Sequence, residues 1–98
     1  MPRAIDYSGK FKKDYKQVRK RQQGGKLDAE LEPIIDALLN DRPLEERCRD
    51  HSLSGDWEGY RDCHVRPDLI LIYKKVDKEG SDGVLQLAAL GSHSDLFG

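Results

Sequence analysis

Three histidines, His51, His64 and His93, are the only imidazoles in this 98-residue chain. They are the side chains best suited by type to move protons near neutral pH, because a ring with an ordinary pKa near 6.5 can be neutral at one position and protonated at another. That pairing suits the cleavage of RNA. The 2′-OH must lose a proton to attack the adjacent phosphorus, and the departing 5′-oxygen must gain one. The phosphorane formed between these events needs positive charge or donors, which Arg61, Arg49 or a third histidine could supply. No metal is required for this chemistry, and DNA, lacking the 2′-OH, is not cut by it.

A metal site is the competing reading of the same residues. Cys48 and His51 have ligand-like spacing, and Cys63 and His64 follow. Neighbours on a strand point to opposite faces, so Cys63 and His64 cannot both grip one ion, and a structural zinc wants four ligands in short pairs. Cys63 suits the core better. Neither a P-loop nor a dinucleotide-binding glycine pattern nor a nucleophile elbow is present. Asp68 fits a turn as readily as a site. Trp57 and Tyr60 can stack on bases or pack on helices. Phe97 is poorly placed for burial so near the end of the sequence, which leaves stacking on RNA open to it.

The elements that must position these residues follow from periodicity. Residues 3–7 read as a short strand, and Ser8 can cap a helix over 9–22 in which Phe11, Tyr15 and Val18 form one apolar stripe. Gly24 and Gly25 end it. A second helix over 27–40 carries Leu27, Leu31, Ile34, Ile35, Leu38 and Leu39 at helical spacing. Pro33 either bends this helix or lies in its first regular turn. Residues 41–57 are polar and turn-rich. Three strands follow: 58–65, with Tyr60, Asp62 and His64 on one face and Arg61, Cys63 and Val65 on the other; 69–73, apolar throughout as a central strand is; and 84–90. The charged stretch 74–83 is a hairpin loop and 91–98 a tail. The order β-α-α-β-β-β gives a single α+β domain over 1–98, a helical hairpin packed on a small antiparallel sheet.

Composition bounds the setting. No apolar run approaches the roughly 18 residues of a membrane span, and no apolar signal core is evident, so the chain is expected in the cytoplasm with no membrane partner. Two cysteines in a reducing compartment are expected as free thiols. The net charge of −1 hides an asymmetry: residues 1–26 carry nine Lys/Arg against two acids, and the remainder eight against sixteen. A basic N-terminal module can meet phosphates through one face, with Lys12, Lys13 and Lys16 as candidate contacts; a solvated helix carries such lysines equally well.

The stretch Arg49, Asp50, His51, Ser52, Leu53, Ser54, Gly55, Asp56, Trp57, Glu58, Gly59, Tyr60, Arg61, Asp62, Cys63, His64 resembles the signature of the YafQ branch of the RelE/ParE toxin superfamily. Pro67, Asp68, Leu69, Ile70, Leu71, Ile72 and Tyr73 resemble its second motif, and Gly91, His93, Leu96, Phe97 and Gly98 its ending. The resemblance spans essentially the whole chain. It implies the small α+β fold of RelE-like microbial ribonucleases and a type II toxin–antitoxin role. It further implies an endoribonuclease that enters the A site of the 70S ribosome and cleaves mRNA there without metal or other cofactor. By the same resemblance His51, His64, Asp68 and His93 form the catalytic set. His93 is the general acid, and His51 or His64 is the base while the other stabilises charge. Asp68 orients a histidine or reads a base. Arg61 is a candidate phosphate contact and Phe97 lies near the scissile nucleotide; Trp57 is a further candidate substrate contact by its residue type. The implied partner is a cognate antitoxin of the DinJ/RelB type. Leu69 stands where such toxins often carry tryptophan, so a stacking role there is not expected, and the chain is less basic than a ribosome binder generally is. Two other classes remain distinguishable: a ParE-like toxin that inhibits DNA gyrase and needs no histidines, and a structural or metal-binding module.

Overall fold

Two amphipathic helices lie against one sheet. The computed structural model describes residues 3–21 and 26–98. Strand β1 is Ala4–Tyr7, helix α1 Gly9–Arg21 and helix α2 Lys26–Leu39; β2 is His51–Ser52, β3 Arg61–Arg66, β4 Leu69–Val76 and β5 Val84–Gly91, and helix α3 is His93–Phe97. The stop expected at Gly24 and Gly25 lies outside the described residues. Helix α2 continues through Pro33, which sits on its exposed face, where water can reach the carbonyl that proline leaves without a partner.

The sheet order is β1-β5-β4-β3-β2. It is antiparallel from β2 to β5, as expected, but β1 joins β5 in parallel, so the sheet is mixed rather than wholly antiparallel. The helical hairpin carries the chain from β1 toward β2 at the far edge, and the antiparallel run back through β3 and β4 brings β5 alongside β1 in parallel. Further boundaries differ from the sequence reading, and β3 begins at Arg61 rather than at 58. His51 and Ser52 form a short edge strand inside the polar stretch. Strand β4 runs on through Lys74 and Lys75, whose stems lie half-buried while Lys74 Nζ sits 5.3 Å from the Tyr60 ring and Lys75 reaches Asp41 at 2.8 Å. The tail folds into α3.

The principal core lies between the helices and one sheet face. Phe11, Val18, Leu27, Leu31, Ile34 and Leu38 pack there on Cys63, Val65, Leu71, Tyr73, Leu85 and Leu87. The other face carries a smaller cluster of Ile70, Ile72, Ala88, Ala89 and Leu96, with Leu53, Trp57 and Tyr60 against it. Strand β4 is thus buried on both faces, which its apolar run requires. Beyond Tyr7, β5 has an open edge, and α1 closes it. Ser8 Oγ donates to the Ala88 carbonyl at 2.8 Å while accepting from Phe11 N–H at 2.9 Å, and Asp14 accepts from Leu90 N–H at 3.0 Å. One serine therefore caps the helix and fixes it to the sheet, and the edge is withheld from other strands.

Candidate active site

The second sheet face and the strand ends beside it gather the histidines. His51 on β2 stands directly opposite Asp62 on β3 in the strand register. Its Nδ1 lies 2.8 Å from the Arg49 carbonyl and 2.9 Å from Asp62 Oδ1. A carbonyl only accepts, so Nδ1 carries the proton, and in the neutral ring the lone pair is on Nε2. Two residues after Asp62, on the same face, comes His64, where the β3–β4 register slips at a bulge between His64 and Arg66. The tight turn that follows places Asp68.

His93 enters from the opposite direction, as the first residue of α3. Ser92 caps this helix by accepting from Asp95 N–H at 3.1 Å, and Asp95 accepts from Ser92 N–H at 3.2 Å, a reciprocal capping box. These bonds, the backbone one first, hold the Asp95 carboxyl below the usual carboxylate range. A Cβ on Gly91 would lie 3.1 Å from Asp95 Cβ, so this close approach favours glycine. Ser92→Ala is expected to cost about 1 kcal/mol of local stability, read as faster amide exchange at Asp95 and Leu96.

Asp68 Oδ1 accepts from His93 N–H at 3.4 Å and lies 3.7 Å from His93 Nδ1. The His93 ring is 5.6 Å from that of His64 and 5.8 Å from that of Phe97, which is 43% exposed. The structure therefore brings together His64, Asp68, His93 and Phe97, with His51 joined to them through Asp62.

Asp62 was not among the residues singled out from the sequence. It is 2% exposed, its Oδ1 has no well-formed hydrogen bond, and His64 Nε2 is likewise buried without a partner. Burial pushes the Asp62 carboxyl above its ordinary range, opposed by the nearby His51, His64 and His93. The alternation of β3 put Asp62 and His64 on one face and so held the signal. What it lacked was β2, which brings His51 against that carboxylate.

Other candidates fall elsewhere. Arg61 Nε donates to Asp50 Oδ1 at 3.2 Å, and Tyr73 donates to the same oxygen, so this trio anchors the loop ahead of His51. A cavity of about 420 Å³ is lined by His64 and His93 with Arg47, Arg49 and Arg66, and not by Arg61. Trp57 donates Nε1 to the Leu96 carbonyl at 3.4 Å and meets Tyr60 edge-on at 5.5 Å, which braces α3. Lys12, Lys13 and Lys16 are exposed on α1; Lys12 and Lys16 border a separate groove with Tyr7, Phe11 and Tyr15. Cys48 and Cys63 are free and buried, and burial pushes both thiols up. Among the described residues no three His, Cys, Asp or Glu side chains converge as metal ligands do.

The class these observations define is a small α+β domain with a mixed five-stranded sheet, three imidazoles and two carboxylates gathered at its second face and strand ends. Within that class the family described as bacterial toxin of type II toxin–antitoxin system, YafQ, matches residues 3–98. The chain belongs to the YafQ toxin family. It is 42% identical over 97 residues to the mRNA interferase toxin YafQ of Escherichia coli K12, covering 98% of this chain and 97% of that protein. The crystal structure of YafQ from E. coli BL21(DE3) superimposes with a TM-score of 0.83 at 41% identity, covering 98% and 99% of the two chains. The E. coli DinJ–YafQ toxin–antitoxin complex gives 0.81 at 41% identity over the full length of both chains.

Proposed function

We propose that the protein is a metal-independent endoribonuclease toxin that cleaves mRNA in the ribosomal A site. The observation that carries this reading is the opposition of two differently held imidazoles. His51 keeps Nε2 free as a base, with the Asp62 carboxylate beside its Nδ1, and His93 sits against Asp68 as an acid. In the reaction His51 Nε2 takes the 2′-OH proton as that oxygen attacks phosphorus. The P–O5′ bond breaks, His93 delivers a proton to the leaving oxygen, and a 2′,3′-cyclic phosphate and a 5′-OH result. His64, between the two, faces the developing charge.

The site is open. The side chains of His51, His93 and Asp68 are 55%, 60% and 76% exposed. An open constellation supplies proton transfer but little orientation of a flexible strand, so the RNA must be positioned by something else, and the ribosome is suited to do so. Lys12, Lys13 and Lys16 would meet ribosomal phosphates. No helix is long and apolar enough to cross a membrane, and a ribosomal target places the activity in the cytoplasm. Membership of a type II toxin family implies neutralisation by a cognate antitoxin, in the manner of DinJ with YafQ.

The test is to incubate the purified protein with programmed ribosomes and map mRNA ends. New ends carrying cyclic phosphate are expected with ribosomes and not with free mRNA. Cleavage of free mRNA at the same rate refutes ribosome dependence. Toxicity that survives replacement of all three histidines refutes the nuclease reading and favours gyrase inhibition.

A further inference from the structure

We infer that Arg49 grips the reacting phosphate with its side chain and, through its own backbone, fixes the protonation pattern of His51. The inference rests on the ribonuclease reading above and names a residue for the charge that reading requires.

The arginines around the histidines are not equivalent. Arg66 holds Glu30 through two nitrogens, with Nε at 2.8 and 2.7 Å from the carboxylate oxygens. Arg47 holds Glu45 at 2.6 Å. Arg61 holds Asp50 and lies outside the cavity. Arg49 lines the cavity with His64 and His93, is exposed, and among the described residues has no carboxylate partner. A guanidinium already paired with a carboxylate has much of its charge spent and its donors occupied. An unpaired one beside two imidazoles meets an arriving phosphodiester with its full fork of donors.

The backbone of Arg49 is the second observation. Its φ and ψ are both 47°, the left-handed region that non-glycine residues rarely enter; Asp41 is the other such residue among those described. The conformation ends the tight turn Glu46–Cys48, with Arg49 N–H donating to the Glu46 carbonyl at 3.0 Å. Cys48, 2% exposed, anchors one side of the reversal in the core. On the other side the Arg49 carbonyl is turned back onto His51 Nδ1 at 2.8 Å. An extended residue here would carry that carbonyl away, and Nδ1 would lose the acceptor that keeps its proton. Strain of this kind, held next to catalytic groups by surrounding structure, is a common mark of a positioned site.

The two roles separate experimentally. The measurements are single-turnover mRNA cleavage on programmed ribosomes and the nitrogen shifts of the His51 ring by NMR. Arg49→Gln and Arg49→Gly are each expected to lower the cleavage rate on the order of 10²-fold, the usual effect of losing one donor to a developing oxyanion. Arg49→Lys is expected to stay within roughly tenfold of wild type, because it keeps the charge. Arg49→Gly accepts the left-handed conformation, so His51 should keep its proton on Nδ1 while cleavage falls. Arg49→Val resists that conformation and should move the His51 signal toward a mixture of tautomers. Wild-type cleavage by Arg49→Gln overturns the phosphate grip. An unchanged His51 spectrum in folded Arg49→Val, or a wild-type Nδ1 without its proton, overturns the backbone role. If the wild-type protein itself cuts no mRNA, the nuclease reading fails, and the His51 spectra still decide the backbone role.

Discussion

His93→Gln is expected to lower single-turnover mRNA cleavage 10²–10⁴-fold, the range associated with loss of a positioned general acid. The argument is geometric. His93 is the first residue of α3, and its place depends on the Ser92–Asp95 capping box rather than on burial of its own ring. The glutamine side chain keeps polarity and approximate reach but carries no proton that it can release. Because the ring is largely exposed, the thermal midpoint should hold within experimental error, and that separates lost chemistry from lost structure. Asp68 lies 3.7 Å from His93 Nδ1 and accepts from the His93 backbone N–H, so it positions the ring. Asp68→Asn should therefore weaken cleavage less than His93→Gln does. A His93→Gln protein that cleaves within threefold of wild type would remove His93 from the acid role and turn attention to His64.

Asp62→Asn should move stability and activity in opposite directions. In the folded chain Asp62 is a buried carboxylate lacking a well-formed hydrogen bond at Oδ1, and burial raises its pKa. A folded-state pKa above the unfolded one means that the native protein binds the extra proton. Stability from this group is then greatest at pH below the ordinary carboxylate range and is lost as pH rises through the raised value. Removing the charge should recover about 1 kcal/mol near neutral pH, within the usual cost of an unsatisfied buried acceptor. For a chain of this size that is a rise of roughly 4–8 °C in Tm. The same change removes the negative charge 2.9 Å from His51 Nδ1, which supports the ring as it takes up a proton. Cleavage should drop by at least about tenfold, the lower end of what carboxylates that orient metal-bound histidines contribute. Parallel pH series of thermal melts and cleavage rates test both halves. A variant that is less stable than wild type at neutral pH, or as active, contradicts the assignment of Asp62.

How much of this could be read beforehand depended on whether the determinant was local. The periodicity of Leu27, Leu31, Ile34 and Leu38, the apolar run of β4 and the Ser8 cap are local signals, and each is realised in the fold. The parallel placement of β1 is not local, since nothing in Ala4–Tyr7 specifies β5 as its neighbour. The strand at His51–Ser52 has two residues and no apolar pattern; it exists because Asp62 and Arg61 offer an edge to pair with. Missing that strand concealed the contact between His51 and Asp62. The α3 helix was obscured similarly. Its capping box, Ser92 followed three residues later by Asp95, is a local signal, but five residues leave no room for periodicity. Arg61 illustrates a different limit. Its type suited a phosphate, yet Asp50 claims it, and a competition between partners cannot be settled from spacing alone.

The pairing of Ala4 with Val84 closes a loop of about 80 residues. Pairings this distant form slowly, because chain entropy is lost before contacts compensate for it. During synthesis, β1, α1 and α2 leave the ribosome long before the strand that completes their sheet, and His93 follows later still. A chain elongating at roughly 5–20 residues per second spends seconds in that incomplete state. In that interval the nascent chain has neither its core nor the His93 side of the candidate site assembled. Topology thus separates the synthesis of this chain from the completion of the site that the proposed activity needs.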